Sequence, residues 1–318
     1  MREIYSIAKN SFMELLRQPV FLILTSVSAV FIIFLAISPY FGLGDDVNLV
    51  KTSALAVLLL AGLFTSVFSA STSLAAELRG GTALAVLSKP VNRIAFLLGK
   101  LFGVCSAISI MVYINIIAIL FASRMGFDSY GKTDFVGMAI FFGAMILSFA
   151  ISGFLNYFLE KNFVPYTMGI LIITMTIGLI IISFLEEERK LMEYSTIDWS
   201  LIPAAICLTF MLWLIAALAI TCSTRLNTIA TLTFCLIILL IGLMSDYFFG
   251  QMSNSGSWIG TILYTIIPNW QNFWLADAIE NDKGIPWLYI RDAFLYMITF
   301  MVATITIGIT LFDNRELN

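Results

Sequence analysis

The chain has 318 residues and a formal net charge of −3, with 60% apolar and only 12% charged side chains. Soluble domains carry about 25% charged and roughly 45–50% apolar residues, so this composition excludes a soluble globular protein. Several apolar runs exceed the roughly 20 residues that cross a hydrocarbon core, and their continuous apolarity excludes a barrel of alternating strands. The sequence therefore predicts an all-α polytopic membrane protein.

The first eighteen residues predict an amphipathic helix that lies along the inner leaflet. Apolar side chains recur at helical spacing, at Ile4, Ile7, Ala8, Phe12, Leu15 and Leu16, and charged or amide side chains occupy the other faces. Pro19 suits a change of chain direction after this helix. The alternative is a basic tail that only sets topology, because three cations precede the first span.

Eight spans are predicted within a single membrane domain of residues 1–318, at 19–38, 54–76, 96–121, 135–159, 163–185, 201–221, 228–249 and 288–312. The short gaps 160–162 and 222–227 leave open that a member of either pair is re-entrant or interfacial, so the count lies between six and eight. The first run is not a cleaved signal peptide, since a mixed segment precedes it and no small-residue cleavage site follows.

Orientation follows from Lys and Arg in short loops, which are retained on the cytoplasmic side. Cations are denser before the first span and around the second loop than around the first and third loops. We therefore predict that the N- and C-termini are both cytoplasmic. The cysteine usage and the lack of N-glycosylation sequons fit a bacterial inner membrane.

The segment 77–95, between the second and third spans, combines glycine, proline and charge. Gly80-Gly81 interrupts the second span because glycine is poor in helix interiors, and Thr82 can cap a new short helix over 83–88 that Pro90 ends. This predicts a helix across the membrane surface that offers one face to a soluble partner, with Arg93 and Lys100 at headgroup level. The residues alone equally allow an ordinary cytoplasmic loop.

The same segment resembles a family pattern. The string Glu77, Gly81-Thr82, Leu84, Leu87, Pro90-Val91, Arg93, Phe96 and Gly99-Lys100 is similar to the E-x-x-x-G-T-x-x-x-L-x-x-P-V-x-R pattern, followed by G-K, of ABC-2 type transporter permeases. The N-terminal helix and the C-terminal tail 311–317 extend the resemblance. In that family the permease is a membrane subunit, usually dimeric, whose cytoplasmic coupling helix rests in a cleft of a separate ATPase.

The resemblance implies a docking site for that ATPase, made of Glu77, Arg79, Gly81, Thr82, Leu84, Leu87, Pro90 and Arg93. It also implies that residues 1–18 form the family's connecting helix, which flanks the same partner. A homodimer, or a heterodimer with a second permease, is expected within the lipid bilayer. Many members of the family have six spans, whereas eight are predicted here.

The chain lacks a G-x-x-x-x-G-K-[ST] phosphate loop, so ATP and Mg²⁺ are expected on the partner chain and this subunit is expected to be non-catalytic. It has no histidine, and its four cysteines are scattered singly, so no metal site and no cofactor of its own are predicted. No nucleic-acid partner is expected.

Polar groups within the predicted spans are few. No ionisable residue lies near the middle of a span, which argues against a carrier driven by protons or sodium ions. Asn115 and Asn156 are the most polar side chains in the spans, and we interpret both as interhelical hydrogen-bonding residues and not as substrate ligands.

The outer segment 250–287 is rich in aromatic residues, which favour the headgroup zone. Two short helices are predicted there, around 259–267 and 272–280. The tryptophans Trp258, Trp270, Trp274 and Trp287 fit a lid over an exit path or a simple aromatic belt, and the sequence leaves both open.

Together these observations predict the permease subunit of an ATP-driven ABC-2 type system, an exporter. The alternative is a non-transporting membrane anchor or assembly component that docks an ATPase, and a secondary carrier is the third choice. The residues do not identify a substrate.

Overall fold

The computed structural model describes residues 2–38, 46–79, 92–126, 134–185, 197–280 and 284–313, and of residues 75–79 it describes the backbone. Within these ranges every regular element is a helix. The helices are α1 Arg2–Leu16, α2 Pro19–Ile37, α3 Asp46–Arg79, α4 Arg93–Met125, α5 Phe135–Leu159, α6 Phe163–Phe184, α7 Leu201–Ser223, α8 Thr228–Leu243, α9 Asp246–Asn254, α10 Trp258–Ile266, α11 Ala276–Glu280 and α12 Trp287–Asp313. A single 3₁₀ turn, Trp270–Asn272, precedes α11.

Seven helices in the described ranges are long and apolar enough to cross a membrane, and α8 with α9 makes an eighth if that bent pair is one span. This confirms a multi-pass helical membrane protein. The predicted bounds of 135–159 agree with α5, and α3 and α4 extend beyond the predicted second and third spans. An unbroken seventh span at 228–249 is wrong, because the chain bends by 50° between α8 and α9.

Side chains from a later part of the chain contact α8 near its bend, and the periodicity of the sequence does not predict these contacts. Trp270 Nε1 donates to the carbonyl of Ile238 at 3.1 Å, and Gln271 Nε2 donates to that of Leu243 at 2.9 Å. A Cβ atom on Gly242 would lie 2.3 Å from Trp270 Cδ1, so only glycine admits the indole. Carbonyl groups near the bend thus find partners, as a helix break at membrane depth requires.

The close pair of spans α5 and α6 is a helical hairpin and not a re-entrant piece, since each helix alone is long enough to span. Glu160 takes a left-handed conformation with φ 51° after α5. Asn156 Nδ2 donates to the carbonyl of Lys161 at 2.6 Å, so this amide stabilises the turn between α5 and α6. The interpretation of Asn156 as an interhelical hydrogen-bonding residue is therefore wrong. At the next short turn, Asn227 caps α8 by accepting from Ala230 N at 2.9 Å.

The core lies around α3, α4 and α7, which are the most buried of the spans, while α5 and α12 expose long apolar faces.

Successive spans alternate in direction, so their ends gather in two groups. We call the group that holds the end of α3, the start of α4 and the end of α12 the Arg93 end. The group that holds the start of α3, the end of α4 and the start of α5 is the Arg124 end.

Candidate partner-docking face

The predicted docking segment joins α3 to α4 at the Arg93 end. Its residues Gly81, Thr82, Leu84, Leu87 and Pro90 lie outside the described residues, as does the predicted short helix over 83–88. Glu77 and Arg79 belong to the last turns of α3, where the backbone alone is described. The described edge of the segment is Asn92, whose side chain caps α4 by accepting from Ile94 N at 3.1 Å.

Arg93, the first residue of α4, binds the last turn of α12. Its Nη1 donates to the carbonyls of Phe312 at 3.2 Å and Asp313 at 2.9 Å, and its guanidinium lies 5.7 Å from the centre of the Phe312 ring. Arg225, in the turn between α7 and α8, donates to the carbonyl of Leu311 at 3.1 and 2.7 Å. Carbonyls at a helix C-terminus have no partner within the helix and carry partial negative charge, so cations suit this position. Arg93 is thus a structural tie as well as a predicted docking residue.

Lys100 is buried, with 2% of its side chain exposed. Its Nζ donates to the carbonyl of Ser73 on α3 at 3.1 Å and to Ser73 Oγ at 3.0 Å, and it lies 3.7 Å from Glu14 Oε2 on α1. The ammonium group thus lies between helices and links α1, α3 and α4, and the headgroup level expected for Lys100 stays a prediction.

The predicted N-terminal helix exists as α1, and its apolar face packs on the start of α4. Gly99 and Gly103 are residues of α4 that α1 approaches closely enough to exclude a side chain. A Cβ atom on Gly99 would lie 2.7 Å from Ile7 Cβ, and one on Gly103 would lie 2.7 Å from the carbonyl oxygen of Ala8. This is a G-x-x-x-G pattern, which allows close helix contact, and the sequence analysis missed it although the spacing was readable.

The face of α1 turned away from α4 is exposed and polar, with Arg2, Glu3, Tyr5, Ser6, Lys9 and Asn10. Tyr5 is 70% exposed. The face therefore offers cations, hydroxyl groups and an aromatic ring to whatever adjoins the Arg93 end. The predicted docking segment precedes the same first turns of α4 in the chain.

The Arg124 end is held by ion pairs. Arg124 Nε lies 3.2 Å from Asp134 Oδ2 with both side chains buried, and Arg124 Nη1 donates to the carbonyl of Ile182 at the end of α6. Asp134 also caps α5 by accepting from Gly137 N at 2.9 Å. One pair thus joins α4, α5 and α6. The sequence placed Arg124 in a loop and gave no sign of its burial.

A second pair at this end joins α3 to the segment before α7. Lys51 Nζ lies 2.7 Å from Asp198 Oδ2, and Asp198 N donates to Ser123 Oγ on α4 at 3.2 Å. Burial raises the pKa of Asp198, but hydrogen bonds from Lys51 and Ser200 and the charge of Lys51 outweigh it. The pKa therefore lies below its ordinary value of 3.8.

The aromatic segment 250–287 is partly core and partly surface. Trp258 and Trp287 are 72% and 69% exposed, as a headgroup belt would require, but Trp270 and Phe273 are fully buried against the bundle.

Asp246, at the start of α9, holds this segment by hydrogen bonds. Asp246 Oδ1 accepts from Tyr264 at 2.6 Å and from Asn269 Nδ2 at 2.8 Å. The hydrogen bond to Asp246, followed by burial, raises the pKa of Tyr264. The short helices lie at Trp258–Ile266 and Ala276–Glu280, close to the predicted positions.

Asn115 is fully buried in α4 and bonds its own helix, with Nδ2 donating to the carbonyl of Met111 at 2.9 Å. Its Oδ1 has no hydrogen-bond partner among the described residues. The interhelical bond that we expected from Asn115 is therefore not formed. The described residues also contain no group of three or more His, Cys, Asp or Glu side chains placed to hold a metal ion.

No protein-family model matches this chain, and no curated protein matches it significantly.

Proposed function

We propose that this chain is the membrane-spanning permease subunit of an ATP-driven ABC-2 type transporter, and that it docks a separate ATPase subunit at the Arg93 end. The orientation predicted from basic residues puts this end in the cytoplasm, where an ATPase would bind. Hydrolysis and Mg²⁺ belong to that partner, because the chain has no phosphate loop.

The observation that carries the proposal is how the two flanks of the docking segment are fixed. Lys100 joins α4 to Ser73 on α3, Arg93 joins α4 to the end of α12, and α1 packs on Gly99 and Gly103. Segment 80–91 therefore connects, along the chain, two helices of the central core, and both helices are tied to their neighbours at that end. A force applied to the segment would move these helices together.

Transport then follows from two states of the bundle with different affinity for the closed and open ATPase pair. The ATPase can shift the bundle only by the difference in its binding free energy to the two states, which makes a rigid connection between docking segment and core important. The proposal includes export as the direction and a dimer of permease subunits, as the resembled family has.

The test is co-purification with ATPases encoded by neighbouring genes. Leu84→Asp places a charge in the docking segment and is expected to reduce recovery of the ATPase more than tenfold, because burying an unpaired carboxylate at an interface is costly. Leu226→Asp makes the same change in the turn between α7 and α8, where Leu226 is 43% exposed, and is the matched control. Arg93 is a poorer choice because its substitution would also release α12.

Equal recovery of the ATPase with Leu84→Asp, Leu226→Asp and the unchanged chain would contradict docking through 77–95. Nucleotide-stimulated movement of a cargo in vesicles then separates a transporter from a non-transporting anchor that binds the same ATPase.

A further inference from the structure

One stripe of α4 remains open although the helix is otherwise among the most buried in the protein. Phe102 and Tyr113 are 54% and 41% exposed, Ser106 is exposed, and Ser109 is half-buried. These positions recur every three or four residues, so they share one face of the helix. We call this face the α4 stripe.

The α4 stripe lies deep in the membrane region. Ser106 and Tyr113 are about 20 and 30 Å from the start of α4 at 1.5 Å per residue, so both lie far from the helix ends. On one side Trp213 of α7 contacts Ser109. The centre of the Trp213 ring lies 6.0 Å from that of Phe210, which in turn lies 5.3 Å from that of Phe294 on α12. On the other side Thr176 of α6 contacts Tyr113 at 2.8 Å.

The hydrogen-bond donors along the α4 stripe are all in use. Ser106 and Ser109 donate to the carbonyls four residues earlier, and Trp213 Nε1 donates to Ser109 Oγ at 3.1 Å. Thr176 donates to the carbonyl of Ile172 at 2.6 Å, so the Tyr113 hydroxyl is the donor in its contact with Thr176. The hydroxyl oxygens keep lone pairs that can accept.

The α4 stripe is also uncharged. Between Lys100 and Arg124, α4 carries no Asp, Glu, Lys or Arg, and α6 and α7 carry none at all. An ionised group at this depth would therefore find no counter-ion on α4, α6 or α7 and would be costly. Arg291 and Asp292, near the start of α12, pair with each other at 2.8 Å. An occupant that satisfies the exposed oxygens must therefore bring donors without bringing charge, and its apolar part must suit aromatic walls.

We propose that the α4 stripe binds an uncharged amphiphile that donates a hydrogen bond from a hydroxyl or amide group to Tyr113, with its hydrocarbon part against Phe102, Phe210 and Trp213. As a cargo site this inference rests on the proposed transport function and names its cargo class. The binding itself requires no ATPase.

The test uses the full chain alone in lipid nanodiscs and two diazirine photoprobes, hexadecan-1-ol and its methyl ether. The alcohol is expected to label peptides of α4 or α7 around the stripe about threefold or more above the ether, as one net hydrogen bond implies. Tyr113→Phe keeps the ring, removes the acceptor, and is expected to abolish that preference. Tyr157→Phe, at a residue 80% exposed near the end of α5, is the control that should keep it.

Equal labelling by both probes, or a preference that survives Tyr113→Phe, would overturn the proposal and make the stripe an ordinary lipid-facing surface. Efficient disulfide formation between two copies carrying Ser106→Cys would also overturn it, since a second copy would then cover the stripe. Labelling is measured without the ATPase, so a failed docking test and a failed labelling test are independent results.

Discussion

The two ends of the bundle hold their cations in different ways. At the Arg124 end the cations meet carboxylates directly, with Arg124 3.2 Å from Asp134 and Lys51 2.7 Å from Asp198. At the Arg93 end, Arg93 donates to backbone carbonyls of α12, and Lys100 donates to the carbonyl and the hydroxyl group of Ser73. Each cation also lies 3.7 Å from a carboxylate, that of Asp313 for Arg93 and that of Glu14 for Lys100. Among the described contacts, Lys51 is closest to a carboxylate, whereas Arg93 is closest to a backbone carbonyl group.

This difference has an energetic consequence. Breaking a buried ion pair leaves an uncompensated charge and costs about 3–5 kcal/mol, whereas a hydrogen bond to a charged group contributes about 1.5–3 kcal/mol. The loss of Asp134 is therefore expected to cost more than the loss of a single hydrogen bond of Arg93.

Asp134→Ser should give the largest loss of stability. Serine preserves the N-cap of α5 but leaves Arg124 buried without its carboxylate, which is expected to cost about 3–5 kcal/mol in the free energy of unfolding. Unfolding by titration with sodium dodecyl sulfate in mixed micelles measures the difference. The exposed pair Arg291–Asp292, with side chains 62% and 58% exposed, provides the control Asp292→Asn, for which about 1 kcal/mol or less is expected.

A second variant tests the cause. Arg124→Met combined with Asp134→Ser removes both charges, so it should recover much of the stability lost with Asp134→Ser alone. If Asp134→Ser and Asp292→Asn cost the same small amount, the Arg124 end is not held by its ion pair, and the comparison of the two ends fails.

Gly103→Ala tests the Arg93 end. The added methyl group would lie 2.7 Å from the carbonyl oxygen of Ala8 and the Cβ atom of Ser11, so α1 must move away from α4. Such overpacking is expected to cost about 1–3 kcal/mol. Gly153→Ala on α5 is the matched control, since no atom lies within 4 Å of its added Cβ and alanine favours a helix. The same unfolding titration, with limited proteolysis after α1, measures the stability of both variants. Equal stability of Gly103→Ala and Gly153→Ala would contradict the close packing of α1 on Gly103.

Sequence patterns were sufficient for the spans because each span must satisfy its own backbone bonds over a fixed apolar length. The bounds of α5 and the existence of α1 followed from length and periodicity alone. The break after α8 did not, because it depends on Trp270 and Gln271, which come from a later part of the chain and bond to carbonyls of α8.

Charge and glycine located the segment 77–95 between two spans, and helices α3 and α4 lie on its two sides in the chain. Its role as a docking site stays a prediction. The bond from Lys100 to Ser73 could not be predicted, because only the packing of α3 beside α4 decides it. Ion pairs such as Lys51 with Asp198 join positions far apart in sequence, so spacing could not reveal them.

The smallest expected effect is the pH dependence of the Lys51–Asp198 pair. Asp198 has a pKa below its ordinary value of 3.8 because hydrogen bonds from Lys51 and Ser200 and the charge of Lys51 outweigh the opposite effect of burial. A carboxyl group with a lowered pKa in the folded state stabilises the protein above the unfolded pKa. That contribution is lost as the pH falls through the folded pKa.

At pH 7, Asp198→Asn is therefore expected to lower the free energy of unfolding by about 1 kcal/mol or less, since the pair is partly exposed. The difference from the unchanged chain should begin to shrink as the pH falls below about 4 and should vanish below the folded pKa. Unfolding titrations of both proteins between pH 7 and 3 measure it, and Lys51→Met should show the same convergence. A difference that stayed constant down to pH 3 would mean that the charge of Asp198 contributes nothing, and that Ser123 and the turn before α7 hold this end of α3 without an ion pair.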